Sequence, residues 1–502
     1  MKKHIYSIIC ISAALAMSSC GKFLEEYSQD EIRPNSANDY LELIAGEIYY
    51  NTNETPVHTY LDIMTDDCEE FASNGGLIPS DRRNEGFGYY TWQASPEHQI
   101  TGTLNSDQAW AFYYHQILIA NMILYDVDDK NGTEQEKAQA KAEAYMVRAF
   151  AYFMLVNLYG EPYDPEKFPD ALGVPINDLV GSENRKFQRA SAAEIYEQIL
   201  SDGENAIAQF GLSGQNTSIY RWNEAAANVF MSRVCLYIHD WDKAISYADD
   251  ALEINANLWN FNTKLAEEGI GDAADEDDEY FFRKNNPEIL FSFGYNNNAF
   301  FATGATGMFP ASKNLRSMYI EGDLRLDNND GAYIRYLGSS LFGGGKRYCP
   351  FKSNPISVSY TNAYGKAIRT VEAYLNRAEA YAMKGGENLQ DAIDDINMIR
   401  RNRFTPETYK DLTAGTQEDV ITDVRDERRM ELCFEGHRWF DLRRWDRPSI
   451  THTFTPDIEN PDIVETYILE ENDPAYTLPI PEEVYERDTD IENISRPARN
   501  PK

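Results

Sequence analysis

The sequence predicts a mainly α-helical protein built of repeated helix pairs, with a large loop-rich insertion that contains little β structure. Three observations predict it. The segment Glu143–Tyr152 matches Glu372–Tyr381 at seven of ten positions, and self-similarity of this kind marks a repeat architecture. Each copy is followed by an amphipathic stretch with apolar residues at helical spacing. Two long stretches, 66–105 and 256–366, are punctuated by Gly, Asn and Pro, which ends the helical periodicity there.

A third segment, Val229–Tyr237, repeats the Arg233-to-Tyr237 spacing on an alanine-rich background. Small residues at that spacing let neighbouring helices approach closely. The clearest following helix is Asp240–Asn255, with Ala244, Tyr247, Ala248, Ala251 and Leu252 on one face. It resembles the second helix of a tetratricopeptide repeat, so stacked pairs imply a right-handed superhelical scaffold. The other second helices are predicted over 191–209 and 389–402, and further helices over 36–50, 106–126, 312–320 and 417–435.

The N-terminus reads as an address label. Lys2 and Lys3 precede an apolar run, Ile5–Met17, and the small-residue region Met17-Ser18-Ser19-Cys20. The run is too short to span a bilayer. It resembles a bacterial lipoprotein signal over residues 1–19, which implies lipidation of Cys20, with plain secretion as the alternative. The acidic pair Glu25-Glu26 resembles an outer-surface export tag.

Composition excludes some partners. With 46 Lys plus Arg against 82 Asp plus Glu, the net charge is −36, which repels polyanions, so no nucleic-acid partner is expected. Rings are plentiful at 24 Phe, 33 Tyr and 7 Trp, and the two non-helical stretches hold many of them. Loops this long in a compact protein are functional or disordered, and their rings oppose disorder. Cys68, Cys235, Cys349 and Cys433 are widely spaced without a CxxC pair, and buried free thiols are the reading preferred over a disulfide.

The C-terminal run Arg425–Trp445 (RDERRMELCFEGHRWFDLRRW) resembles the signature of the SusD/RagB family of outer-membrane nutrient-binding lipoproteins. So do Tyr374–Ala380, Ile396–Arg400, the 142–160 helix ending in Leu158-Tyr159-Gly160, and Leu478-Pro479-Ile480-Pro481. The ending Ser495–Lys502 departs from the family's Gln-Asn-Pro-Gly type close. The resemblance implies one domain over 20–502. Its helical scaffold lies at about 36–255 and 367–445, its ligand-binding insertion at about 256–366, and an additional binding loop at about 66–105. It also implies four tetratricopeptide-like pairs, a TonB-dependent SusC-like transporter as partner, and a lipid-anchored position on the outer membrane facing the exterior. Within the signature, helical spacing predicts the pairs Arg428–Glu431, Glu435–Arg438 and Arg438–Asp441, with Trp439, Phe440 and Trp445 buried.

Catalytic and cofactor chemistry finds no support. The seven histidines form no HExxH, the glycines at 343–345 lack the residues of a phosphate loop, and no GxSxG elbow occurs. Leu326 and Leu337 occupy the first and twelfth positions of an EF-hand frame and break it, leaving only an irregular calcium loop open. No enzyme activity, cofactor or metal is expected.

A sugar ring presents an apolar CH face and a rim of hydroxyls, so capture needs aromatic platforms beside polar groups. The candidate contacts are Asp67, Arg82, Tyr90 and Trp92 from the first stretch and Tyr295, Asn297 and Tyr333 from the insertion. The expected ligand is an oligosaccharide; capture of peptides or protein fragments is the alternative, and a surface hydrolase a third reading.

Overall fold

The computed structural model describes residues 34–49, 60–72, 81–181, 186–214, 218–263, 281–282, 285–293, 308–327, 331–337, 346–352, 365–488 and 490–502. It is mainly helical, as expected. The predicted signal and Cys20 lie outside these residues.

The longest helix, α1 (Glu134–Tyr159), starts at a capping box: Thr133 accepts from the Glu136 amide, and Glu136 accepts from the Thr133 amide at 2.7 Å. It pairs with α2 (Ala192–Ser213). The second pair is α3 (Glu224–Tyr237) with α4 (Trp241–Ile254), and the third is α5 (Thr370–Lys384) with α6 (Asn388–Arg401). The small residues do what their spacing predicts: Ala144, Ala151, Ala226, Ala244, Ala248, Ala378 and Ala392 are all fully buried. At Gly203 a β-carbon would lie 1.9 Å from the Met231 sulfur, so α2 can approach α3 only because this position has no side chain.

The arginine of the repeat explains its recurrence. Arg148 clasps Asp202 at 2.8 and 2.6 Å, and Arg377 clasps Asp395 at 2.9 and 2.6 Å, each tying the first helix of a pair to the second. Arg233, in the middle copy, instead reaches Glu372 of the next pair at 2.5 and 2.7 Å. One residue type thus fastens helices both within pairs and between them.

The helix expected over 36–50 is α-helical at Ala37–Ile44 and continues as a π-turn through Tyr49. Ala109–Asp126 and Gln417–Leu432 (α7) form as predicted. The 312–320 prediction shrinks to Lys313–Arg316 (α8). The stretch 66–105, read as loop, contains a helix at Asp81–Tyr90 (α9). Its Gly86 and Gly88 hid that helix because Gly disfavours helix interiors, yet a β-carbon at Gly88 would lie 2.3 Å from the Pro96 carbonyl, so close packing requires the glycine.

Within the insertion, β1 (Ile289–Phe293) pairs antiparallel with β5 (Lys366–Arg369), and β2 (Leu326–Asp327), β3 (Ile334–Leu337) and β4 (Arg347–Pro350) form a small sheet in that order. A hairpin of β6 (Ile450–Phe454) and β7 (Glu465–Leu469) follows the signature.

The signature itself departs from simple helical pairing. Helix α7 ends at Leu432, and the chain turns through Phe434 (φ 62°) and Gly436 (φ 82°) before α10 (Arg438–Arg444), so spacing across the turn does not follow one helix. Glu435 therefore binds Arg369 at 2.6 Å and Lys352 at 2.6 Å, not Arg438. Arg438 binds Asp66. Asp441 takes Arg428 at 2.9 Å and Arg444 at 2.8 Å. Glu431, freed from Arg428, receives Arg325 at 3.1 Å, Arg403 at 2.9 Å and Arg369 at 3.2 Å. Burial opposes ionisation of Glu431, but the three guanidinium groups overwhelm it and hold its carboxyl well below the usual range. Trp439 and Phe440 are buried as expected, and Trp445 is half-buried.

Candidate functional site: an aromatic ledge

The two stretches that interrupt the helical pattern meet in space. The Glu69 amide donates to the Pro310 carbonyl at 3.1 Å, Phe71 to Met308 at 2.9 Å, and Ser312 to Asp67 at 2.8 Å. The Ala311 amide donates to the Tyr348 carbonyl at 2.8 Å, which brings β4 into the same assembly. Ser312 caps α8 by accepting from the Leu315 amide at 3.1 Å while its own hydroxyl donates to the Asp66 carbonyl at 2.7 Å.

This assembly presents two tyrosines. Tyr336 on β3 faces Tyr348 on β4 across the ladder, with ring centroids 4.8 Å apart, as cross-strand partners on one sheet face should. Tyr336 is 37% exposed. The Arg316 guanidinium lies 4.3 Å from the Tyr348 ring centroid and donates to Glu69 at 3.0 Å. Lys346 sits 5.8 Å from the Tyr336 ring, and Arg347 stacks 4.6 Å over Phe71. Ring surface, cationic donors and a carboxylate acceptor therefore share one ledge, the mixture that suits the apolar face and hydroxyl rim of a sugar.

The sequence-predicted contacts fall differently. Asp67 is buried and accepts from Arg429 at 2.7 Å; burial pushes its carboxyl up, against the pull of Arg429. Tyr90 and Trp92 are enclosed on either side of His452, at 4.1 and 4.3 Å, and Trp92 donates to the Met64 carbonyl at 2.9 Å. Both His452 ring nitrogens meet backbone carbonyls, of Tyr90 at 2.7 Å and Thr65 at 3.0 Å, and burial pulls its pKa down to about 4. Tyr333 is fully buried with its hydroxyl donating to Glu431. Tyr90, Trp92 and Tyr333 have no open ring face on which a ligand could stack, and Asp67 is enclosed against Arg429, so the structure places all four in the scaffold interior and not on the ledge. Arg82 belongs to α9, and its side chain lies outside the described residues, as do Tyr295 and Asn297.

Tyr336 and Tyr348 did carry a signal. They sit in two short β-rich runs, Ile334–Leu337 and Arg347–Pro350, on either side of a glycine-rich stretch, which is the pattern of a hairpin. Reading that pattern would have placed the two rings opposite each other. All four cysteines named above are buried free thiols. Among the described residues no cluster of His, Cys, Asp or Glu is arranged to hold a metal ion, and no helix is long and apolar enough to cross a membrane.

A stacked helix-pair scaffold that holds an aromatic, charged ledge on irregular segments defines a binding protein of the repeat class. Residues 236–496 match the family described as the SusD family, and residues 77–236 match one described as starch-binding associating with outer membrane. The chain belongs to the SusD family. A SusD-like protein of Formosa agariphila is 23% identical over 87% of this chain and 89% of its own, and one of Bacteroides ovatus is 22% identical over 74% and 71%. A SusD superfamily structure from Bacteroides vulgatus superposes with a TM-score of 0.67 at 20% identity, covering 92% of this chain and 100% of that one. A structure from the same organism described as a SusD-like carbohydrate binding protein gives 0.66 at 18% identity, over 91% and 98%.

Proposed function

We propose that this protein captures oligosaccharides at the outer-membrane surface and delivers them to a TonB-dependent SusC-like transporter, without cleaving them. The observation that carries this reading is the Tyr336–Tyr348 pair, part-exposed and flanked by Arg316 and Lys346. The starch-binding description of the matched family and the carbohydrate-binding description of a structural neighbour support it. Arg82, Tyr295 and Asn297 complete the contact set in this proposal, Tyr295 and Asn297 because they follow the end of β1 directly in sequence.

The role is passive, so affinity is modest, roughly micromolar to millimolar or about 4–8 kcal/mol, because hand-over requires release. A lipid on Cys20 raises the local concentration beside the transporter, which lets a weak protein contact suffice. Calorimetric titration with a panel of neutral oligosaccharides and a panel of peptides tests the ligand class. The expected result is saturable binding of at least one oligosaccharide, with the sugar recovered intact after prolonged incubation. Binding confined to peptides, or release of shortened sugars, overturns the reading.

A further inference from the structure

A second cleft, of about 280 Å³, lies between the 162–168 turn, the end of α10 and Asn472. None of its residues belongs to the ledge. Its rings are Tyr163, Phe168 and Trp445, and its cations include Arg443 and Arg447.

The charge balance of the cleft runs against that of the whole chain, whose net charge is −36. The Arg443 guanidinium is buried and donates only to backbone carbonyls, of Asn157 and Gly160, both at 2.6 Å. Among the described residues its Nε has no hydrogen-bond partner and no carboxylate pairs with it. Arg447 forms no ion pair or side-chain hydrogen bond among the described residues; its guanidinium stands 5.0 Å over the Phe168 ring. The two acids that line the cleft are already engaged. Asp164 accepts from the Glu166 and Lys167 amides, both at 2.9 Å, and lies 3.4 Å from the Lys167 ammonium. Asp446 is paired with Arg425 at 2.9 Å. Arg444 is clamped by Glu379 and Asp441. Among the described residues, Arg443 is therefore left without a carboxylate partner, and Arg447 has only the longer-range attraction of Asp164, with no direct ion pair.

The backbone is also held in an uncommon state there. Arg447 has φ 43° and Asn472 φ 57°, and the two are joined by a hydrogen bond from the Asn472 amide to the Arg447 carbonyl at 2.9 Å. Asn adopts that region readily, whereas Arg does not, and strain at a non-glycine residue gathers at ligand sites. The Arg447 amide donates to the Leu442 carbonyl at 3.0 Å, which fixes the conformation that holds the guanidinium over Phe168.

We infer that this cleft is a binding site for a sugar carrying an oxyanion, a carboxylate or a sulfate. The oxyanion accepts from the Arg447 fork, and the ring's CH face lies against Phe168, which is 42% exposed. At contact range the local guanidinium outweighs the distant acids, which are screened beyond about 8 Å at physiological salt. The sugar half of this inference rests on the saccharide reading given above.

Titration calorimetry of the full chain tests it with four probes: a methyl glucuronide, a sulfated glucose, methyl glucoside and inorganic sulfate. The expected result is binding of one or both charged sugars, none of the neutral glucoside, and only weak binding of inorganic sulfate. The carboxylate and sulfate arms separate the two sources of charge. Arg447→Asn, which keeps a residue at ease with positive φ, raises the dissociation constant about tenfold or more. Phe168→Ala, at an exposed position, weakens the charged sugars but not inorganic sulfate. Melting curves of both variants confirm folding. Tyr336→Ala leaves this affinity unchanged, so neutral-oligosaccharide binding that is indifferent to Tyr336→Ala would sink the ledge reading and leave this one standing. Equal affinity for neutral and charged sugars, equal affinity for inorganic sulfate and the sulfated sugar, or indifference to Arg447→Asn overturns the inference.

Discussion

Arg438 holds Asp66 by two parallel hydrogen bonds, Nε to Oδ1 at 2.8 Å and Nη2 to Oδ2 at 2.9 Å, across 372 positions of the chain. Burial would raise the Asp66 carboxyl, but Arg438 and Arg429 outweigh it and hold it below its usual range. This clasp locks the segment bearing Glu69 and Phe71 to the signature helix. Arg438→Met is expected to lower stability by about 2 kcal/mol. It also weakens saccharide binding, because Glu69 no longer fixes Arg316. Urea denaturation of Asp66→Asn, Arg438→Met and the double variant checks it; additive single effects would show that the clasp carries no coupling.

Tyr336 and Trp92 separate contact from scaffold. Tyr336→Ala removes a part-exposed ring and is expected to change stability by less than about 1 kcal/mol while weakening oligosaccharide binding about tenfold. Trp92→Ala empties a fully buried site and orphans the Met64 carbonyl, costing about 3–5 kcal/mol. Paired calorimetry and thermal melts distinguish the two; a Trp92→Ala variant of unchanged melting temperature would contradict the burial described above.

The helical frame was legible because period and residue size report it directly: the alanines at 144, 226, 248 and 378 and the repeated arginine require neighbours on one face. The ledge was harder to read. Tyr333 and Tyr336 are both tyrosines of one short run, yet one is fully enclosed and the other 37% exposed. What separates them is Glu431, nearly a hundred positions away, which takes the Tyr333 hydroxyl. Asp67 likewise looked free until Arg429 was found against it. Partners that distant leave no periodicity in the sequence. The signature failed in the opposite sense: the turn at Phe434 and Gly436 breaks the suggested Glu435–Arg438 pair, and the two pairs suggested within single helices lose out to other partners, Arg428 going to Asp441, Arg438 to Asp66 and Glu431 to Arg325, Arg369 and Arg403.

Glu431 anchors three guanidinium groups from three parts of the chain, Arg325, Arg369 and Arg403. Glu431→Gln keeps the shape and removes the charge, leaving those cations under-compensated in the interior. A loss of about 3–5 kcal/mol is expected. The urea midpoint should fall with little change in slope, and hydrogen exchange should quicken first in β3 and β5, which the cluster ties to α7. Retention of wild-type stability would mean that Glu288, Glu427 and Glu435 suffice to neutralise the cluster.

Glu379 gives a pH dependence of definite sign. Burial would raise its carboxyl, but Arg444, at 2.5 and 2.7 Å, and Arg428 overcome that and pull it from 4.5 down to about 2. A carboxyl depressed in the folded state stabilises the fold above its unfolded value, and that contribution is lost as pH falls through the folded value. The shift corresponds to about 3 kcal/mol. Glu379→Gln does not titrate, so the gap between wild type and variant is expected to stay near its full size from pH 7 to about 5 and to close between pH 4.5 and 2. Taking the difference cancels other titrating groups common to both proteins, including His452, whose protonation acts over the neighbouring range below 6.5. Urea melts of both proteins at half-unit steps measure the gap, and one that stays constant down to pH 2 would show that Arg444 does not hold Glu379 ionised.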